Sequence, residues 1–148
     1  MENSVNHVIF YGTLCEIDVR KALKINDSLQ FVSICSVSGS LYNLGEYPGL
    51  VLGTNSIITA QLYLIKNPSC LHILDDYEEY NPNDLKNSLY IRKMIELPEF
   101  DCFAWIYEYN KKGLLFATLF YIKNIFYKPD PCILAIAFFA RLIANCFL

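Results

Sequence analysis

Residues 7–14 read His7-Val8-Ile9-Phe10-Tyr11-Gly12-Thr13-Leu14, a β-branched and aromatic run that breaks on a glycine. Such a run predicts a short strand running into a tight turn, since Gly takes left-handed backbone conformations without the strain other residues meet there. Just beyond, Val19, Ala22 and Leu23 recur at helical spacing among charged neighbours. An amphipathic helix is therefore expected across residues 16–26, stopping at Asn26-Asp27.

Working outward, residues 30–36 and 39–43 have strand composition, and Gly45, Pro48 and Gly49 punctuate the following stretch as a loop. Residues 56–65 alternate as a long strand. Asn67-Pro68 combines a cap residue with a proline suited to a first helical position, and Leu71, Leu74 and Tyr77 share one face of the helix that follows. Glu78 then falls at or just past that helix's end. Residues 81–88, NPNDLKNS, form a polar loop, and residues 89–97 and 102–109 are two more strands about a turn at Pro98-Glu99. About six strands and two helices give a strand-dominated α+β chain.

The bulk properties narrow the class. A chain of 148 residues is long enough to bury a core without disulfides or metals, and with 54% apolar and 18% charged residues it is no candidate for disorder. The net charge of −3, with Lys and Arg scattered, offers no basic stripe for a phosphate backbone, so nucleic acid is not an expected partner. Cysteines at 15, 35, 70, 102, 132 and 146 show neither Cys-x-x-Cys pairing nor metal-ligand spacing with His. They read as reduced thiols of a cytoplasmic protein. Met1-Glu2-Asn3-Ser4 places an acid where a secretory signal needs basic residues and an apolar run.

Residues 111–148 differ from the rest. An apolar stretch, 113–127, is broken by Pro129-Asp130-Pro131 and followed by a second one, 132–148. A packed helix or partner surface is the ordinary fate of such runs. Two rival readings stand beside it: an altered C-terminus that no longer carries the usual ending of the domain, and a membrane anchor, which would place Arg141 near a bilayer centre at a cost of about 2.5–3.5 kcal/mol.

For chemistry, the chain has no Gly-x-Ser-x-Gly elbow, P-loop, dinucleotide fingerprint or zinc signature. What remains is the glycine turn and the acids Asp75, Asp76, Glu78 and Glu79. Crowded carboxylates at the negative pole of a helix should have at least one pKa raised, which suits a general base. A strand–Gly–helix junction can offer backbone N–H groups to an anion. Taken singly, each feature has an ordinary alternative: the acids as a solvated helix end, the glycine as a turn and nothing more.

Four blocks in order change that weighting. They are Tyr11-Gly12-Thr13-Leu14; Gly39-Ser40-Leu41-Tyr42-Asn43-Leu44-Gly45-Glu46-Tyr47-Pro48-Gly49-Leu50-Val51; Leu74-Asp75-Asp76-Tyr77-Glu78 with Tyr90-Ile91-Arg92 after it; and Ala104-Trp105-Ile106-Tyr107-Glu108-Tyr109-Asn110. Across residues 7–110 this resembles the γ-glutamyl cyclotransferase-like family, which includes the AIG2-like proteins. The resemblance implies a mainly antiparallel, barrel-like sheet with flanking helices, in a domain spanning residues 1–110 and followed by the apolar extension. It also implies a cavity lined by Tyr11, Gly12, Thr13 and Leu14 and by the glutamate of the third block, Glu78.

The implied reaction is intramolecular aminolysis of a small γ-glutamyl substrate, releasing 5-oxoproline. Glu78 would shuttle the proton and the backbone N–H groups of residues 12–14 would cradle the anion, with no metal or cofactor needed. Tyr11 would form the cavity floor or bond the substrate through its hydroxyl. Tyr90 and Arg92 form a second tier, each with a structural alternative: Arg92 pairing with one of the acids, Tyr90 filling the sheet. One departure stands out, since Glu79 occupies a position that is commonly Gly in the family. It motivates the alternative of a catalytically degenerate small-molecule-binding module of the same fold.

Overall fold

The computed structural model describes residues 5–44 and 47–110. Strand β1 (His7–Phe10) leads through a 3-10 turn (Gly12–Cys15) into helix α1 (Ile17–Ala22). A second 3-10 turn (Asn26–Ser28) precedes the long strands β2 (Leu29–Asn43) and β3 (Pro48–Ile65). Helix α2 (Cys70–Tyr77) follows, and β4 (Tyr90–Leu97) and β5 (Cys102–Tyr109) flank a 3-10 turn at Pro98–Phe100. The readings of residues 111–148 as packed helix, partner surface, altered C-terminus or anchor lie outside the described residues. Among the described residues no helix is long and apolar enough to cross a membrane.

The five strands form one sheet in the order β2-β3-β1-β5-β4. The α+β class holds, but the barrel-like, mainly antiparallel description needs correction. The sheet is open, with β2 and β4 at its edges, and mixed, because β1 runs parallel to β5 with Val8 opposite Trp105. The physical cause lies in β1, which has only four residues. It pairs with the far half of β3, His7 opposite Leu64 through Phe10 opposite Gln61, and then leaves the sheet. Below Phe10 the near half of β3 faces β5 without a strand between them. Side chains close that gap: the Glu108 carboxylate accepts the Leu52 N–H at 2.9 Å and pairs with Lys93 at 2.5 Å.

At β1 both faces of the sheet are buried, which explains the strand's continuous apolar run. Val8 and Phe10 join Leu14, Ile25, Leu74, Tyr90 and Tyr107 under the helices. Ile9 faces a second core made by Cys35, Val37, Leu50, Leu62, Ala104 and Ile106, all from strands. With no helix to cover it, that second core requires the sheet to roll over itself without closing. Burial of each such aliphatic or aromatic side chain stabilises the fold by about 1.5–3 kcal/mol.

Two strands expected separately, residues 30–36 and 39–43, are one. Gly39 does not break β2; it allows β3 close, since a Cβ there would lie 2.8 Å from Leu50 Cδ1 and 2.9 Å from Val51 O. The register shifts at that point, between Ser38 and Gly39. Pro48 and Gly49, expected in a loop, open β3, where the missing proline N–H is tolerated at a strand's first residue. Helix α2 begins two residues later than the Asn67-Pro68 signal suggests. Asn67 still organises its start, its Oδ1 accepting the Ser69 N–H at 3.1 Å.

Candidate active site

The end of β1 opens a cleft between β3 and β5, and the turn after β1 folds into it. Gly12 has φ +67°, and a Cβ on it would sit 2.6 Å from Pro48 Cγ. Two requirements therefore select glycine, the left-handed backbone and the contact with the proline of the second sequence block. Leu14 anchors the turn in the core at 3% exposure. Tyr11 reaches across the cleft, its hydroxyl donating to the Tyr107 carbonyl of β5.

Helix α2 supplies the opposite wall. It ends in a Schellman motif: the Tyr80 N–H bonds Asp75 O at 2.8 Å and the Glu79 N–H bonds Asp76 O at 3.2 Å. Glu78 is the cap residue and is 9% exposed. Glu79 takes the left-handed position with φ 52°. Glycine is favoured there, and a glutamate occupies it while Glu78 stays at the cap.

Tyr11, Thr13, Tyr47, Pro48, Tyr77, Glu78 and Tyr90 line a small cavity that is continuous with solvent. The Thr13 and Tyr77 hydroxyls are 3.3 Å apart, and the Tyr90 hydroxyl donates to Pro48 O at 2.7 Å. The Tyr11 hydroxyl is pushed well above the usual phenol range, first by burial and then by the Glu78 charge. Glu78 is thus the sole charged group on the cavity wall among the described residues, set against hydroxyls and aromatic rings.

The four clustered acids divide. Asp75 has its pKa raised, chiefly by burial, with the Tyr107 hydrogen bond and then Arg92 acting the other way. The expected cause, the helix pole and like charges, is not the main one. Asp75 accepts the Tyr107 hydroxyl at 2.7 Å and Arg92 Nη1 at 3.0 Å. Arg92 lies over Trp105 at 4.9 Å and Tyr80 at 5.5 Å. It is absent from the cavity lining and clamps α2 to the sheet. The pair of second-tier residues is accordingly split, with Tyr90 on the wall and Arg92 behind it. Among the described residues, no group of three His, Cys, Asp or Glu could hold a metal ion.

The sequence matches the model of the gamma-glutamyl cyclotransferase, AIG2-like family over residues 8–120. The chain belongs to that family. Its match continues past Asn110, where the recognisable blocks end. Nothing among curated proteins matches it significantly. The fold is shared with three solved structures. An AIG2-like protein from Mus musculus has a TM-score of 0.59 at 20% identity, covering 84% of this chain and 90% of that one. Protein ytfP from Escherichia coli has 0.58 at 24%, covering 76% and 88%. Uncharacterized protein PH0828 from Pyrococcus horikoshii has 0.52 at 16%, covering 72% and 78%.

In this AIG2-like domain the wall also includes Tyr47, Pro48 and Tyr77, which were visible in the sequence blocks but carried no assigned role. Their signal was there: a Tyr-Pro-Gly beside a required glycine, and a tyrosine one residue before the helix-end glutamate. Glu108, buried at the closure of the cleft, stands in the fourth sequence block as a lone acid in an aromatic strand and carried no assigned role either.

Proposed function

We propose that the protein is a γ-glutamyl cyclotransferase in which Glu78 shuttles the proton and the turn after β1 holds the substrate's negative charge. One juxtaposition carries the reading: Glu78 and the Tyr11 and Thr13 side chains, far apart in sequence, line one cavity. A substrate α-ammonium entering it meets a single carboxylate among hydroxyls and rings.

Glu78 takes a proton from the ammonium, and the freed amine nitrogen attacks the γ-carbonyl carbon of the same molecule. A five-membered ring closes as that C–N bond forms, and the carbonyl oxygen becomes an oxyanion, stabilised by N–H donors of the turn. Collapse restores the carbonyl and breaks the bond to the leaving nitrogen. Glu78, now protonated, gives its proton to that nitrogen as the bond breaks, then takes the surplus proton from the ring nitrogen and passes it to the departing amine, releasing 5-oxoproline and the amine as its ammonium. Nucleophile and electrophile share one molecule, so holding the bent conformer contributes much of the rate. The rolled sheet and the rings of Tyr47 and Tyr90, 6.3 Å apart, supply walls for that conformer.

The test is incubation with γ-glutamyl-amino acids, γ-glutamylamines and glutathione, followed by detection of 5-oxoproline. Release from at least one donor, abolished by Glu78→Gln in a folded protein, is the expected result. Absence of 5-oxoproline from every donor would sink the proposal, and binding without release would establish the degenerate module instead.

A further inference from the structure

Helix α1 turns a charged residue inward. The spacing of Val19, Ala22 and Leu23 predicts an apolar inner face, yet Ala22 is exposed and Arg20 is buried, at 6% exposure. Arg20 Nη1 donates to the Leu14 carbonyl at 2.6 Å, and its guanidinium lies 4.9 Å from the centre of the Tyr63 ring. Its Nε is buried without a hydrogen-bond partner. The ion pairs among the described residues join Arg92 to Asp75 and Lys93 to Glu108, and neither uses Arg20.

A guanidinium buried against a carbonyl and a ring keeps much of its field, because neither partner is an anion. That field falls on the Gly12–Cys15 turn, whose Leu14 carbonyl it grips. Bonding that carbonyl holds the shape of the turn that carries Thr13 onto the cavity wall. Neighbouring groups register the same charge. Burial drives the Cys15 thiol up to about 12 while Arg20 pulls it the other way, and Tyr63 responds with the same signs.

We infer that Arg20 is a positioning residue for anion recognition: from behind the Gly12–Cys15 turn it fixes the turn's shape and makes its front favour the α-carboxylate of a γ-glutamyl donor. The identity of that ligand rests on the cyclotransferase reading. Arg20 does not touch the substrate and acts through the turn.

Two donors separate this role from a merely structural one: a γ-glutamyl compound with a free α-carboxylate, and the same compound as its α-carboxamide. Both cyclise through the same amine and γ-carbonyl. Arg20→Gln keeps an N–H for Leu14 O but removes the charge, whereas Arg20→Lys keeps the charge. For the carboxylate donor, KM should rise about tenfold in Arg20→Gln, the effect of one unit charge acting across a turn in a protein-like dielectric. For the carboxamide donor KM should change less than about twofold, with any fall in kcat shared equally by the two donors and Arg20→Lys restoring most of the preference. Equal KM changes for both donors, or none, would overturn the inference while leaving the cyclotransferase reading intact.

If wild-type protein releases no 5-oxoproline, that reading fails, and calorimetric binding of the same two compounds decides on Arg20. A loss confined to the carboxylate compound supports the inference; no binding by wild type, or equal losses, overturns it. Should Arg20→Gln not fold, Arg20→Lys must keep the carboxylate preference within about threefold of wild type, and collapse of that preference overturns the inference.

Discussion

Replacing Glu79 by glycine should stabilise the protein although it removes a side chain from the helix end. Glu79 sits at φ 52° in the position of the Schellman motif where the backbone turns left-handed. A residue with a Cβ loses about 1–2 kcal/mol in that conformation, whereas glycine avoids the clash at an entropic cost of roughly 0.5–1 kcal/mol in the unfolded chain. Glu79 is exposed, so any charge interaction it makes there contributes only about 0–1 kcal/mol. Relief of repulsion from Asp75, Asp76 and Glu78 works in the same direction as the backbone term. The net expectation is a gain of about 0.5–1 kcal/mol, or roughly 1.5–3 °C in Tm for a chain of this size. Urea unfolding followed by circular dichroism should show a higher midpoint at an unchanged slope. Glu79→Ala, which retains a Cβ, should show little of this gain. A neutral or lowered midpoint for Glu79→Gly, or an equal gain for Glu79→Ala, would refute the backbone argument.

The cavity wall and its supports yield further expectations. Glu78→Gln should reduce 5-oxoproline release about 10²–10⁴-fold, the usual range for losing a general acid–base group, with the cooperative unfolding transition preserved in circular dichroism. Gly12→Ala combines a left-handed backbone with a Cβ 2.6 Å from Pro48 Cγ, so a destabilisation of about 2 kcal/mol is expected in urea titration. Asp75 has a folded-state pKa raised above its ordinary 3.8, so the folded state binds a proton more readily than the unfolded chain. Its proton-linked contribution is fully present below that value and is lost as pH rises through the raised folded pKa. The stability difference between wild type and Asp75→Asn should therefore move against wild type across that window and then level off, which urea midpoints taken from pH 3 upward would check; an opposite slope would show that the Arg92 pairing outweighs burial.

The elements legible in the sequence were those whose signals are local. A β-branched run into Gly12 gave β1 and its turn, and Leu71, Leu74 and Tyr77 gave the face of α2, leaving Glu78 at its end. Features set by long-range geometry were hidden. Gly39 reads as a break until Leu50 and Val51 are seen pressing on it, and only then do two strands become one. The open sheet depends on β1 stopping after four residues and on its parallel pairing with β5, which no pattern within β1 encodes. The site follows the same division. Glu78 and Tyr11 were identifiable from ordered blocks, but Arg92 and Tyr90, two residues apart, reach opposite destinations because Asp75 captures one while Pro48 O accepts the hydroxyl of the other. Arg20 was hidden most completely, since its helical position looks solvent-facing until Leu14 O and Tyr63 enclose it. Early termination of β1 links these cases: it opens the cleft, sends Gly12 against Pro48, and leaves Tyr11 to bond β5 through Tyr107 O. The strand ending that prevents barrel closure is thus also what makes room for the cavity.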